Sequence, residues 1–363
     1  MNKDFNTFNK FYNKLQKSLR KVFPESVIPD FELKYKAGLA FEINRLAAQK
    51  NALILKHNYM EPVLFYAVNG FKGDSLELSK KAAETKSDVI IFCGVHFMAE
   101  TAKILNPNKK VLIPSLKAGC SLANGITKND VLKLKKRFPN LPVITYVNST
   151  AETKAVSDVC CTSGNALKVV TWALKEFNTK SIIFIPDKYM AENIAKDTGM
   201  DIYFPTKDKN IDNRIDYKKR PTIIGWNARC YVHEQYTINH VKEIRKDYEN
   251  AIILAHPECK PEVVSVSDFS GSTSAMAKYV EKHGRNKKIA LLTECSMTDN
   301  LLAAFPKYSD NLIRMCNLRC RYMNMITLDQ LRNALLNNQY EIKVPEKTRK
   351  KAEVSVKRMI SIS

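Results

Sequence analysis

The sequence predicts an α/β protein built from three similar units, each with a parallel sheet, arranged about one centre. Three observations carry this. Short, continuous apolar strands alternate with amphipathic stretches from Lys50 onward, three strand ends carry similar polar clusters, and each unit holds one cysteine in a distinctive setting. Uninterrupted apolar strands between helices belong to parallel sheets covered on both faces. Right-handed crossovers then put all the strand C-ends on one side, where ligands bind.

The first 37 residues form a Lys-rich extension with Pro24 and Pro29. Within it, Phe8, Phe11, Tyr12, Leu15 and Leu19 recur at helical spacing and predict a helix packed on the body. Strands are expected at 52–55, 89–92, 111–113, 143–146, 181–185, 222–225, 251–255 and 289–292. Between them, Ala166, Val169, Val170, Ala173, Leu174 and Phe177 make one apolar helix face. Gly94 and Gly119 each follow an apolar run closely, where the backbone can turn sharply or admit a ligand. A basic tail, 343–363, closes the sequence.

The units repeat. Polar clusters end three strands: Lys56-His57-Asn58-Tyr59, Thr145-Tyr146-Val147-Asn148 and Ala255-His256-Pro257-Glu258. Each is followed by a Ser-Asp pair, at Ser87-Asp88, Ser157-Asp158 and Ser267-Asp268. A turn and helix start come next, at Gly94-Val95-His96, Thr162-Ser163-Gly164-Asn165 and Gly271-Ser272-Thr273-Ser274. The expected organisation is three pseudo-symmetric Rossmann-like parallel-sheet units, 38–127, 128–236 and 237–342, with their strand-end clusters meeting at a common centre.

One cysteine per unit stands out: Cys120 after Ala118-Gly119, Cys230 before Tyr231-Val232-His233, and Cys320 before Arg321-Tyr322. Three thiolates converging on one axis suit a metal cluster, and iron–sulfur clusters are held by cysteine. Zinc with mixed Cys and His ligands fits the spacing as well. His57, His233, His256 and Glu258 are candidates for proton transfer, Glu258 on condition that its surroundings raise its pKa. Tyr59 and Tyr146 are hydrogen-bonding candidates. Ser163 and Thr273 at helix starts, and Ser75 after Gly73-Asp74, suit a carboxylate or phosphate.

Composition narrows the class. The chain has 363 residues and is 45% hydrophobic, enough for two or three domains. No apolar run approaches the roughly 20 residues of a membrane helix. The N-terminal stretch lacks the apolar core of a secretory signal, so a soluble, cytoplasmic protein is expected. Nine scattered cysteines, with no C-x-x-C pair, point to metal, catalysis or burial rather than a disulfide framework. The net charge of +21 raises the question of nucleic acid. The basic residues are scattered, however, acids interleave them between Lys207 and Arg220, and no aromatic-basic RNA-binding signature is present. Nucleic acid is therefore not the expected partner.

The runs Gly94-Val95-His96-Phe97-Met98-Ala99-Glu100-Thr101-Ala102-Lys103-Ile104-Leu105-Asn106-Pro107, His256-Pro257-Glu258-Cys259 and Gly271-Ser272-Thr273-Ser274 resemble the quinolinate synthase family. The ending, Cys320 followed by Met323 and Ile326-Thr327-Leu328, is similar too, and the likeness spans about residues 40 to 340. The resemblance implies three α/β domains around a [4Fe-4S] cluster bound by Cys120, Cys230 and Cys320. It implies condensation of iminoaspartate with dihydroxyacetone phosphate to quinolinate for NAD synthesis, with L-aspartate oxidase a candidate source of iminoaspartate. The site positions carried over are His57, Tyr59, Ser75, Tyr146, Asn148, Ser163, His233, His256, Glu258 and Thr273, with Phe97 lining the pocket. Two departures stand out. Cys316-x-x-x-Cys320 replaces a C-x-x-C-x-x-C of many members, which puts a redox role for Cys316 in doubt, and Ala228 stands where a glycine is common. The readings set against this are a zinc-dependent aldolase-type lyase and a basic nucleic-acid-binding protein.

Overall fold

The computed structural model describes residues 2–206, 216–315 and 318–362, so Cys316 and most of the stretch from Lys207 to Arg220 lie outside the described residues. Its strands form three sheets. The first contains β1 (Ala52–His57), β2 (Phe71–Gly73), β3 (Val89–Cys93) and β4 (Lys110–Leu112), in the order β2-β1-β3-β4. The second contains β5 (Val143–Tyr146), β6 (Val159–Cys161), β7 (Ile182–Ile185), β8 (Asp201–Tyr203) and β9 (Thr222–Ile224), in the order β6-β5-β7-β9-β8. The third contains β10 (Ile252–Ala255), β11 (Phe269–Ser270), β12 (Ile289–Leu292) and β13 (Leu312–Ile313), in the order β11-β10-β12-β13. Every pairing within them is parallel. Apart from the edge strand β8 the three orders are one pattern, so the pseudo-threefold relation lies in the topology itself.

Physical causes are plain in the strands. All residues of β5, β7 and β12 are buried, as expected where helices cover both faces of a sheet. The aspartates of two Ser-Asp pairs tie strand starts together: Asp158 Oδ2 accepts from Val143 N at 2.7 Å, and Asp268 Oδ2 from Ile253 N at 2.8 Å. In the first unit the pair is out of register, which corrects the expected repeat. Ser87-Asp88 precedes the third strand, β3, and not the second. Ahead of β2 the chain instead turns at Gly70, whose φ of 144° and close approach to the Ile54 carbonyl leave no room for a Cβ. The counterpart of Thr162-Ser163 and Ser272-Thr273 is therefore Asp74-Ser75.

Helices close the units into a ring. Threonines 127, 237 and 327 are the N-caps of the helices Lys128–Arg137, Ile238–Asp247 and Leu328–Asn337. The last of these packs back on Asp30–Gln49, where Arg332 Nε meets Glu42 Oε2 at 2.5 Å. The helix Asp30–Gln49 itself runs through residue 38, the expected start of the first unit. At the N-terminus, the helix Asn2–Leu19 buries Leu15 and Leu19 and sets Phe8 and Phe11 against Phe41. The basic C-terminal stretch carries the helix Glu346–Ser361, which lies across β6 and the helix His96–Leu105 with Ala352, Val356 and Met359 buried. Among the described residues no helix is long and apolar enough to cross a membrane.

Candidate active site

The first strand of each sheet in chain order delivers a pair of side chains from its C-end. These are His57 and Tyr59 at the end of β1, Tyr146 and Asn148 at the end of β5, and His256 and Glu258 after β10. All six line one cavity. The second strand of each sheet leads to a helix start, which brings Ser75, Ser163 and Thr273 to the same cavity. Their hydroxyls are not spent on capping. Asp74 and Ser272 cap the helices Ser75–Glu84 and Thr273–His283, and Asn165 is the N-cap residue of Ala166–Glu176. Ser75 and Thr273 are the first residues of their helices, so two helix N-termini reach the cavity, a setting for anionic groups, and Ser163 adds a hydroxyl from two residues ahead of the N-cap Asn165.

Cys120, Cys230 and Cys320, one from each unit, line the cavity with Phe97. Burial pushes the Cys120 thiol up to about 12 and raises Cys230 and Cys320 as well, with neighbouring thiols adding to the effect on Cys120 and Cys230. Thiols whose ionisation burial opposes are ones that a cationic metal centre would deprotonate. The donor set fits a cluster held by three protein thiolates. A second, mixed set shares one of them: ligand atoms of Cys230, His233 and Glu258 lie within 4.8 Å of one another.

Glu258 is the electrostatic hub. Burial alone would raise its carboxyl, but His233 and His256, with hydrogen bonds from His233 and Tyr146, outweigh that and hold it well below the usual range. The raised pKa on which its proton-transfer role was conditional is therefore not what this environment produces; Glu258 is held as a carboxylate. Its Oε1 accepts from Tyr146 Oη at 2.7 Å and from Asn148 Nδ2 at 3.3 Å, and its Oε2 lies 2.7 Å from His233 Nδ1. Burial, reinforced by the charge on Glu258, raises both Tyr59 and Tyr146, which stay protonated. His57 and His256 repeat one geometry, in which ring Nδ1 accepts the backbone N–H two residues on, from Tyr59 at 3.2 Å and Glu258 at 3.3 Å. That leaves Nε2–H as the donor of a neutral ring, in keeping with burial pushing His57 down to about 4 and His256 down to about 3. His256 stacks on His233 with centroids 4.4 Å apart.

Every site residue expected from the sequence reaches this cavity. Of the two glycines, Gly119 lines it. Gly94 does not, and its missing Cβ makes room for Phe92 and Met98 rather than for a ligand. Other residues went unread. Thr293 Oγ1 lies 2.6 Å from Tyr59 Oη and 3.0 Å from His233 Nε2, completing an unbroken hydrogen-bonded chain Tyr59–Thr293–His233–Glu258. Glu294, pushed up to about 7 by burial, accepts from Cys320 N at 3.3 Å. Both follow β12 directly, so the strand-end rule, applied to the third strand, points to them. The cysteines also carried an unused signal, since each stands seven residues before an N-cap threonine, at 127, 237 and 327.

Three parallel α/β units, joined around one cavity lined by three cysteines and three histidines, define an enzyme whose site is shared between its units. Residues 41–361 match the family described as Quinolinate synthetase A protein. The chain is 44% identical over 335 residues to the quinolinate synthase of Caulobacter vibrioides (strain NA1000 / CB15N), covering 92% of this chain and 84% of that one. It is 44% identical to quinolinate synthase 2 of Mesorhizobium japonicum, covering 93% of this chain and 95% of that one. It is 44% identical to the quinolinate synthase of Agrobacterium fabrum, covering 88% and 84%. The chain belongs to the quinolinate synthase family, a family of enzymes.

Proposed function

We propose that this enzyme condenses iminoaspartate with dihydroxyacetone phosphate to quinolinate, releasing phosphate and water, as a step of NAD biosynthesis. The observation that carries the reading is the meeting of three hydroxyls from the turns into helices, Ser75, Ser163 and Thr273, with three cysteines, one of each from every unit, in one cavity. The same reading takes the units as 38–127, 128–236 and 237–342. Cys120, Cys230 and Cys320 would hold a [4Fe-4S] cluster, which supplies a Lewis acid through the iron that no cysteine binds.

The chain's own residues divide the remaining work. Ser75, Ser163 and Thr273, with the N–H groups behind them, bind the carboxylates and phosphate of two anionic substrates, and the surplus positive charge draws those substrates in. His57 and His256 donate from Nε2–H to substrate oxygens. Glu258 accepts a proton at a carboxylate oxygen, Tyr146 and Asn148 hold that group in place, and Phe97 walls the pocket. The chain through His233 and Thr293 lets a proton taken at Glu258 be balanced at Tyr59. Thiolate ligands of this kind require a reducing compartment, so the cytoplasm is the proposed location.

The test is the anaerobically purified, reconstituted protein, supplied with dihydroxyacetone phosphate and with iminoaspartate made in place by L-aspartate oxidase. A brown protein that forms a pyridine dicarboxylate supports the reading, and a brown protein that forms none overturns it. The mixed donor set Cys230–His233–Glu258 favours a second reading, a zinc-dependent aldolase-type lyase. That reading expects a colourless protein that gains activity with zinc.

A further inference from the structure

Asn193 and Asn300 occupy equivalent places in two units. Each lies on the helix after the third strand, Lys188–Thr198 after β7 and Ser296–Ala304 after β12, and they are 6% and 3% exposed. Asn300 Nδ2 donates to Asn58 O at 2.9 Å and Met60 O at 2.8 Å, the two carbonyls flanking Tyr59. Asn193 Nδ2 donates to Pro257 O at 2.9 Å and Cys259 O at 3.0 Å, the two carbonyls flanking Glu258. In both, one amide spends its two hydrogens on carbonyls i and i+2 and so pinches the backbone around a site residue.

The acceptor side of each amide supports this. Oδ1 of Asn193 and of Asn300 is buried and, among the described residues, has no hydrogen-bond partner. Leaving a buried carbonyl oxygen unsatisfied is costly, so what holds these asparagines in place is their pair of donors. Each clamp also crosses between units, from the second to the third for Asn193 and from the third to the first for Asn300. The joint from the first unit to the second uses other chemistry: Glu100 Oε2 accepts from Ala151 N at 2.9 Å. The two clamped residues are the two ends of the hydrogen-bonded chain from Tyr59 to Glu258.

We propose that Asn193 and Asn300 are positioning residues for the reaction, each setting one end of that chain from a neighbouring unit. The turnover readout rests on the function proposed above. In the holoenzyme, N300A and N300D should each lower kcat by roughly 10- to 100-fold, the effect of a displacement of about 1 Å, with iron content unchanged. Asp has the shape of Asn but turns a carboxylate on two carbonyls, so it should not rescue. In a Tyr59→Phe background N300A should cost less than about 3-fold more, because coupled residues are non-additive. N193A should behave likewise in a Glu258→Gln background. Amide exchange should quicken at 58–60 in N300A and at 257–259 in N193A. Wild-type turnover in N300D, or an equal factor for N300A in both backgrounds, overturns the proposal. If the wild-type protein makes no pyridine dicarboxylate, the proposed function fails, and amide exchange alone decides: faster exchange at these loops supports the clamps, and unchanged exchange overturns them. Should N300A not fold, N300S, with one hydrogen to donate, carries the same test.

Discussion

The phenol of Tyr146 donates a 2.7 Å hydrogen bond to Oε1 of Glu258, joining the end of β5 to the loop after β10. The bond crosses from the second unit to the third, and His233 Nδ1 approaches the other carboxylate oxygen at 2.7 Å. A carboxylate so surrounded is buried yet anionic, and it exists in this form only when the units are closed on one another. The site is a product of the ring and not of any one sheet.

Replacing Glu258 by Gln tests the base directly. The amide keeps the size of the carboxylate but cannot take up a proton. Turnover should fall by about two to four orders of magnitude, the usual worth of general acid–base catalysis. Iron and sulfide analysis should be unchanged. Near-normal turnover would remove Glu258 from the proton-transfer role.

Thr293 makes a narrower test, because its hydroxyl alone joins Tyr59 Oη to His233 Nε2. Thr293→Val keeps the shape and breaks the chain. Losing a buried hydrogen bond of this kind costs about 1–3 kcal/mol, which is roughly 5- to 150-fold in kcat. Thr293→Ser should recover most of the loss. A serine variant as slow as the valine one would show that packing at Thr293 matters and the hydroxyl does not.

The thiol assignment is checked by contrast. Cys120→Ser, Cys230→Ser and Cys320→Ser should each lose iron and brown colour, while Cys316→Ser should keep both. Absorbance and iron content of anaerobically purified variants measure this. Equal iron in the Cys316 and Cys320 variants would sink the assignment of Cys320.

How much of this was legible depended on element length. Strands such as 143–146 and 251–255 announced themselves by apolar runs, and the polar residues at their ends, Tyr146, Asn148, His256 and Glu258, line the cavity. The second strands β2, β6 and β11 have only two or three residues, too few for a period to register, and they went unseen. Their positions were still marked by the hydroxyls at the helix starts that follow. The first unit misled, because Ser87-Asp88 matches its counterparts in letters but stands before β3. Asn193 and Asn300 were beyond sequence reading altogether, since a buried asparagine on a helix looks like any polar residue until its partner carbonyls are in place.

The basic C-terminal stretch is the last case, where composition suggested a charged tail and the fold uses one face of it as a cover. In the helix Glu346–Ser361, Met359 is fully buried, Met359 O accepts from Asn165 Nδ2 at 3.0 Å, and Ser355 Oγ donates to Lys154 O at 2.9 Å. Arg349 is held by Glu346 and Glu353, each at 2.6 Å. The helix therefore seals the second sheet over β6, which leads to Ser163. Met359→Ala should cost about 2–5 kcal/mol, the range for truncating a buried methionine, and should lower the urea midpoint. Lys350→Ala, on the exposed face of the same helix, should change it by no more than about 0.5 kcal/mol. The opposite ranking would mean that the helix acts through its charge, with Met359 incidental to the fold.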